Sequence, residues 1–191
     1  MKKENFNIVI VGVGGQGQLT LLQLLAAAAL AEKKNVKTSE LHGLSQRGGS
    51  VEVHIRFGNV FSPLVSQGQA DLILALELQE ALRALYYCSS ETKILLNDLI
   101  LPIPGKEPLK REEILNQIRK FTKNFEIVKA SEICKEKLGN EILAGVFLLS
   151  FSIHKKIIPL KPQSLLMAIK KIISEKYLET NLKVFELSKE F

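Results

Sequence analysis

The first apolar block of the chain, Asn7 to Val11 (NIVIV), is a continuous β-branched run, the pattern of a strand buried on both faces of a parallel sheet. It ends in glycines. From Gln18 to Lys34 the residues Leu19, Leu22, Leu25, Ala26, Ala29 and Leu30 recur at helical spacing, and the alanine-rich stretch permits close packing on a sheet. The order is therefore strand, glycine turn, helix. Val36 to Glu40 reads as a second short strand and Leu41 to Ser50 as a polar loop containing glycine. In Val51 to Phe57, apolar Val51, Val53, Ile55 and Phe57 alternate with Glu52, His54 and Arg56, which predicts a half-exposed strand. Gly58-Asn59 then predicts a turn into Val60 to Val65, an antiparallel hairpin added to the parallel sheet.

Asp71 to Leu76 and Lys93 to Leu96 read as two more buried strands, with a helical segment from Gln79 to Tyr87 between them. Pro102, Pro104 and Pro108 mark a long loop. Arg111 to Lys123 is patterned as an amphipathic helix and Phe125 to Lys129 as a last strand, and the remainder reads as helix. Within it Glu141 to Lys155 is strongly apolar, Pro162 to Ser174 is amphipathic and Glu175 to Glu190 is mostly polar. The fold predicted is α/β: three layers, Rossmann-like, with a mixed, mostly parallel sheet, an antiparallel hairpin and C-terminal helices. One domain is expected over 1–191, with the helices of 141–191 packed on it or extending it.

Two stretches could carry chemistry. Gly12-Val13-Gly14-Gly15-Gln16-Gly17 follows a strand and opens a helix, so close approach of a ligand and free helical N–H groups would suit an anionic oxygen. The alternative is that Gly12 and Gly17 serve only turn geometry and packing. A dinucleotide site would also want an acidic residue at the end of the second strand. Glu40 is the only candidate and lies later than the usual spacing, which disfavours nicotinamide binding.

The second stretch, Glu40 to Gly49, follows the carboxyl end of a strand, where open α/β sheets bind ligands. Arg47, beside Gly48 and Gly49, is suited to bidentate contact with a carboxylate or phosphate, and His42 could transfer a proton near neutrality. An internal Glu40–Arg47 pair, with His42 merely hydrogen-bonded, reads equally from the same residues. Glu77, just past another strand, could face the same crevice or be an exposed carboxylate at a helix start. No nucleophile elbow or Walker pattern is present, and His154 in the late helical region reads as a surface or packing residue.

Composition narrows this further. The net charge of +6 divides as +1 over residues 1–95 and +5 over 96–191, spread in pairs such as Lys155-Lys156 without a basic run, and reads as a solvated surface. Tryptophan is absent and aromatics make up 6%, which argues against a nucleic-acid stacking platform. Two cysteines, Cys88 and Cys134, cannot supply the four ligands of an iron–sulfur cluster, and no metal site is expected. No apolar run is long enough for a membrane span and no leader pattern opens the chain, so reducing cytoplasm is the expected compartment.

With these residues in view, the chain resembles the gamma-type subunits or domains of 2-oxoacid:ferredoxin oxidoreductases, and among them the beta subunit of the indolepyruvate type. The resemblance is carried by Gly12 to Gly17, by Ser39-Glu40-Leu41-His42-Gly43-Leu44-Ser45-Gln46-Arg47-Gly48-Gly49-Ser50-Val51, and by Ser62-Pro63, Ala70-Asp71 and Asn97. Leu138-Gly139-Asn140 and the Asn181 to Phe185 segment also fit, so the likeness covers nearly the whole chain. It departs beyond Asn140, where the family's further asparagine gives way to an apolar stretch through Ala144, Val146 and Phe147.

The resemblance implies a subunit, inactive alone, of a complex that decarboxylates a 2-oxoacid of the indolepyruvate or arylpyruvate kind, transfers the acyl group to coenzyme A and reduces ferredoxin. Thiamine diphosphate, magnesium and iron–sulfur clusters are then expected on a large partner subunit, because this chain lacks the Gly-Asp-Gly start of a thiamine diphosphate site and the cysteines of a cluster. Ferredoxin would be met through that partner, and no nucleic acid or membrane is implied. By the same resemblance Gly12, Gly14, Gly15, Gln16, Gly17, Glu40, Gln46, Arg47, Gly48 and Gly49 would face the partner or the coenzyme A and cofactor region. Arg47 would offer charge, Gln46 would orient it, and His42 is a further candidate contributor. A stand-alone nucleotide-binding module without catalytic activity is the competing expectation.

Overall fold

In a computed structural model, which describes residues 5–43, 48–102, 105, 107 and 109–191, six strands form one sheet. They are β1 (Phe6–Val13), β2 (Val36–His42), β3 (Ser50–Phe57), β4 (Leu72–Ala75), β5 (Lys93–Asn97) and β6 (Phe125–Val128), in the order β2-β3-β1-β4-β5-β6. β1, β4, β5 and β6 are mutually parallel, whereas β3 runs antiparallel to both of its neighbours, β1 and β2. The sheet is mixed and mostly parallel, as the pattern predicts.

Alternation along the strands feeds two cores. Ile8 and Ile10 of β1, with Val53, Ile55, Leu72, Leu74 and Leu95, face the helices α1 (Gln18–Ala31), α4 (Ala130–Leu138), α5 (Ala144–His154), α6 (Pro162–Ile172) and α7 (Glu175–Leu187). Val9 and Val11, with Ile73, Ala75, Ile94 and Leu96, face α2 (Leu78–Ala84) and α3 (Arg111–Arg119). Because both faces are covered, β1 can be apolar at every central position, and this is the physical basis of the three layers. α5 is buried along its whole length from Ala144 to Ile153, so the late helices form a layer of the same core. No helix among the described residues is long and apolar enough to cross a membrane.

The second strand of the expected hairpin does not form. Val60 to Val65 is irregular, and the antiparallel ribbon lies instead between β2 and β3, from Val36↔Phe57 to His42↔Val51. Side chains of β3 take up the groups that a ladder would have used. Arg56 Nη1 donates to the carbonyls of Ser62 (2.9 Å) and Leu64 (3.1 Å), and the Val65 amide donates to Nδ1 of His54 (3.1 Å). The same segment covers the polar face of β3, so His54 is fully buried and the strand is not half-exposed as its alternation implies. Nε2 of His54 and the Tyr87 hydroxyl converge on Oε1 of Glu52, at 2.7 and 2.6 Å.

Candidate functional site

β1 delivers the glycine turn to the carboxyl end of the parallel strands, the edge where an α/β sheet binds ligands. Gly17, in the left-handed region at φ 84°, ends the turn and caps α1 without a side-chain hydrogen bond. Two glutamines close the inside of the turn. Oε1 of Gln16 accepts from the Val13 amide (2.7 Å), Nε2 of Gln16 donates to the Leu76 carbonyl (3.2 Å), and Nε2 of Gln18 donates to the Val13 carbonyl (3.0 Å). A β-carbon on Gly12 would lie 2.6 Å from both amide side chains and 3.1 Å from Cβ of Leu76. A side chain at Gly12 would displace the ends of Gln16 and Gln18 from their bonds to Val13, so the packing of the turn accounts for this glycine independently of any ligand.

The two stretches singled out in the sequence meet here. The Gly14 amide donates to the Gly49 carbonyl at 2.8 Å, and Gly43, at the other end of the same loop, donates its amide to the Ser50 carbonyl at 3.1 Å. Gly48 and Gly49 thus lie against the glycine turn. Gln46 and Arg47 lie outside the described residues, and so does the Glu40–Arg47 pair considered above.

Glu40 and His42 project from β2, at the sheet edge. Their side chains, 33% and 57% exposed, pair with each other at 3.1 Å, a surface interaction of about 0–1 kcal/mol. β3 intervenes between β2 and β1, which sets Glu40 level with Ile10 and two strand spacings, about 10 Å, from β1. The ribose position of a dinucleotide fold lies beside the first strand, so this inserted strand adds a structural reason against nicotinamide binding.

Asn97 and Leu76 complete the edge. The Leu76 carbonyl accepts from Asn97 Nδ2 (3.0 Å) as well as from Gln16, while Asn97 also donates to Ser131 Oγ (2.8 Å) and accepts from the Ser131 amide (3.1 Å). One buried carboxamide thereby joins the ends of β4 and β5 to the start of α4. A crevice of about 160 Å³ opens beside it, lined by Gly15, Gln16, Asn97, Ser131 and Glu141. A larger cavity of about 500 Å³ adjoins it around Gly17, Thr20, Ile142, Tyr177 and Asn181 at the start of α1. Gly139, in the left-handed region, ends α4, and Asn140 Oδ1 caps the next turn by accepting from the Ile142 amide at 3.1 Å.

Glu77 is neither an exposed carboxylate nor a free group of the crevice: it is buried and caps α2. Oε2 accepts from the Glu80 amide (2.9 Å) and Oε1 from the Leu101 amide (3.0 Å). Burial pushes its pKa up, and these amide hydrogen bonds only partly offset the shift. Glu80, not foreseen, is also buried and accepts from the Ser50 hydroxyl at the start of β3. The spacing of Glu77 and Glu80 at a helix start resembles a capping motif and was its sequence signal, but the Ser50 contact arises only from the sheet order. His154 bonds to Ser188 Oγ at 2.9 Å and packs on Phe185, in keeping with a packing residue.

The site can hold a ligand by amides, carbonyls and small polar side chains, and it carries no nucleophile–base pair among the described residues. Among those residues no group of three or more His, Cys, Asp or Glu is placed to hold a metal ion. Cys134 is buried in one core and Cys88 is half-buried by the other, so the thiol donors do not fit an iron–sulfur cluster.

Comparison with known proteins agrees with this architecture. The chain is 38% identical over 187 residues to the indolepyruvate oxidoreductase subunit IorB of Archaeoglobus fulgidus, covering 95% of this chain and 92% of that one. The keto/oxoacid ferredoxin oxidoreductase gamma subunit of Geobacter sulfurreducens superposes with a TM-score of 0.71 at 22% identity, over 97% of this chain and 96% of that chain. The 2-oxoglutarate:ferredoxin oxidoreductase of Magnetococcus marinus, solved with 2-oxoglutarate, coenzyme A and succinyl-CoA bound, superposes with a TM-score of 0.75 at 18% identity. That match covers 99% of this chain and 31% of the larger one. Residues 7–191 match the family described as pyruvate ferredoxin/flavodoxin oxidoreductase, and the chain belongs to that family.

Proposed function

We propose that this chain is the subunit without redox cofactor of a cytoplasmic 2-oxoacid:ferredoxin oxidoreductase acting on indolepyruvate or a related arylpyruvate. A large partner subunit carries thiamine diphosphate, magnesium and the iron–sulfur clusters. The reading is carried by the 38% identity with an indolepyruvate oxidoreductase subunit over 95% of the chain. Thiamine diphosphate, when bound by that partner, supplies the stabilised carbanion of oxidative decarboxylation, and the acyl group passes to coenzyme A.

The role left to this chain is to complete the assembly and wall the cleft. Gly15 and Gln16 line part of its floor, with Gly12 and Gly17 shaping the turn, whereas the Gly14 amide is taken up by the Gly49 carbonyl and is not offered to a ligand. Gly48 and Gly49 lie against that turn through the Gly14–Gly49 bond. In this reading Arg47 offers a guanidinium to a carboxylate or phosphate, Gln46 orients it, and His42 and Glu40 flank the same edge.

The test is anaerobic affinity purification from the native host, followed by assay of oxoacid- and coenzyme A-dependent ferredoxin reduction. Co-purification of a large iron–sulfur subunit with that activity is expected, and Arg47→Ala should raise the Michaelis constant for oxoacid or coenzyme A. A monomer that binds nucleotide and has no such partner would overturn the reading in favour of a stand-alone module.

A further inference from the structure

We infer that Glu80, through Ser50, is a positioning residue that latches the loop carrying Gly48 and Gly49 onto the glycine turn. Ser50 is the first residue of β3 and lies opposite Val13, the last residue of β1. Its hydroxyl donates to Oε2 of Glu80, while its backbone carbonyl receives the Gly43 amide. Immediately before it, the Gly49 carbonyl receives the Gly14 amide. Both ends of the loop and the glycine turn are thus referred to one residue, and that residue is anchored by a carboxylate on the next layer.

Glu80 is itself held on every side. Its amide is bound by Glu77, its second oxygen receives Nε of Arg83 at 3.2 Å, and only 5% of the residue is exposed. Glu77 meanwhile holds the Leu101 amide, and the Leu78 amide donates to the Leu99 carbonyl. Leu99 and Leu101 line the small crevice. The start of α2 therefore acts as a bracket: Glu80 fixes the glycine loop, and Glu77 fixes the wall formed by Leu99 and Leu101.

A packing role alone does not account for a carboxylate here. Burying one against a serine hydroxyl and a single largely exposed arginine costs desolvation that an apolar residue of similar size would not incur. What the carboxylate provides is direction, because an oxygen at that point fixes the Ser50 hydroxyl and, through the backbone, the Gly49 carbonyl.

The functional half of this inference rests on the proposed function, and its structural half does not. Ser50→Ala, Ser50→Thr and Glu80→Gln are compared in the full chain by amide hydrogen exchange, and in the assembled complex by kinetics. Ser50→Ala should speed exchange of the Gly14 amide roughly tenfold, the size of one net hydrogen bond, while Leu74 in β4 keeps its wild-type protection. Glu80→Gln should show a smaller increase, and Ser50→Thr, which keeps the hydroxyl, should restore wild-type exchange.

In the complex the Michaelis constant for coenzyme A should rise about threefold or more in Ser50→Ala with little change in kcat, as expected when a wall of the binding cleft loosens. Unchanged Gly14 exchange in both Ser50→Ala and Glu80→Gln overturns the latch. Faster exchange with unchanged Michaelis constants overturns the positioning role. A wild-type complex without coenzyme A-dependent ferredoxin reduction counts against the proposed function instead, and the exchange result then decides the latch by itself.

Discussion

The amide of Gly14 donates to the carbonyl of Gly49 at 2.8 Å, and this bond makes one object of two distant stretches of sequence. It exists because β3 lies antiparallel against β1, with Val13 opposite Ser50. Beyond that pair the two chains leave the sheet side by side, and one further hydrogen bond continues the ladder into the loops.

Gly12→Ala should cost about 1–3 kcal/mol, because its methyl group would displace the amides of Gln16 and Gln18 and leave the Val13 backbone groups without their partners. Gly15→Ala meets no atom within 4 Å but must hold φ at 105°, so backbone strain of about 1–2 kcal/mol is expected there. Urea unfolding gives both values. Addition of Gln16→Ala should reduce the cost of the Gly12 substitution and leave that of Gly15 unchanged, which separates crowding from strain.

Asn97→Ala removes the carboxamide that ties β4 and β5 to α4, leaving the Ser131 amide without an acceptor in a buried setting. A loss of about 2–3 kcal/mol is expected. Asn97→Asp can still accept from Ser131 but cannot donate to the Leu76 carbonyl, so it should be destabilised too, and more strongly at neutral pH than in acid.

Two carboxylates, Glu77 buried and Glu52 partly buried, should give opposite pH signatures. Burial pushes Glu52 up, but hydrogen bonds from His54 and Tyr87 outweigh it and hold Glu52 below its ordinary value of 4.5. Its stabilising contribution is complete above 4.5 and is lost as pH falls through the lower folded value. Glu77 is raised, so the native state binds more protons than the unfolded chain between 4.5 and that higher value, and stability falls as pH rises through this window. In urea midpoints measured from about pH 3 to 7, Glu52→Gln should flatten the loss below 4.5 and Glu77→Gln the decline just above it.

The two thiols should differ in reactivity. Burial pushes Cys134 up to about 12, so its thiolate is of the order of one part in ten thousand at pH 8. Cys88 is raised as well, by burial that a hydrogen bond from Thr92 only partly offsets, but it is half-buried rather than enclosed. Iodoacetamide should therefore modify Cys88 in the native protein and reach Cys134 only at the rate of unfolding, as followed by peptide mass spectrometry in a urea series.

Elements whose cause is local are legible in the amino-acid order alone. The β-branched run of β1 and the leucine- and isoleucine-rich runs of β4 and β5 declare strands buried on both faces, and the apolar stretch of α5 declares a helix surrounded by protein, because burial dictates composition residue by residue. The glycine turn between β1 and α1 was equally legible. The candidate site was legible as two motifs but not as one place, and Gln46 and Arg47 of the second motif lie outside the described residues.

The insertion of β3 between β1 and β2 emerges only in the folded chain, since strand order is set by long-range packing that alternation does not encode. That choice moved Glu40 to the edge, placed Ser50 against Glu80, and brought Gly49 to Gly14. It also turned the polar face of β3 inward, where His54 and Arg56 bind the backbone of Val60 to Val65 and prevent the strand its apolar residues suggest. A buried polar residue looks like an exposed one in sequence, because what distinguishes them is a hydrogen-bond partner supplied from elsewhere in the chain.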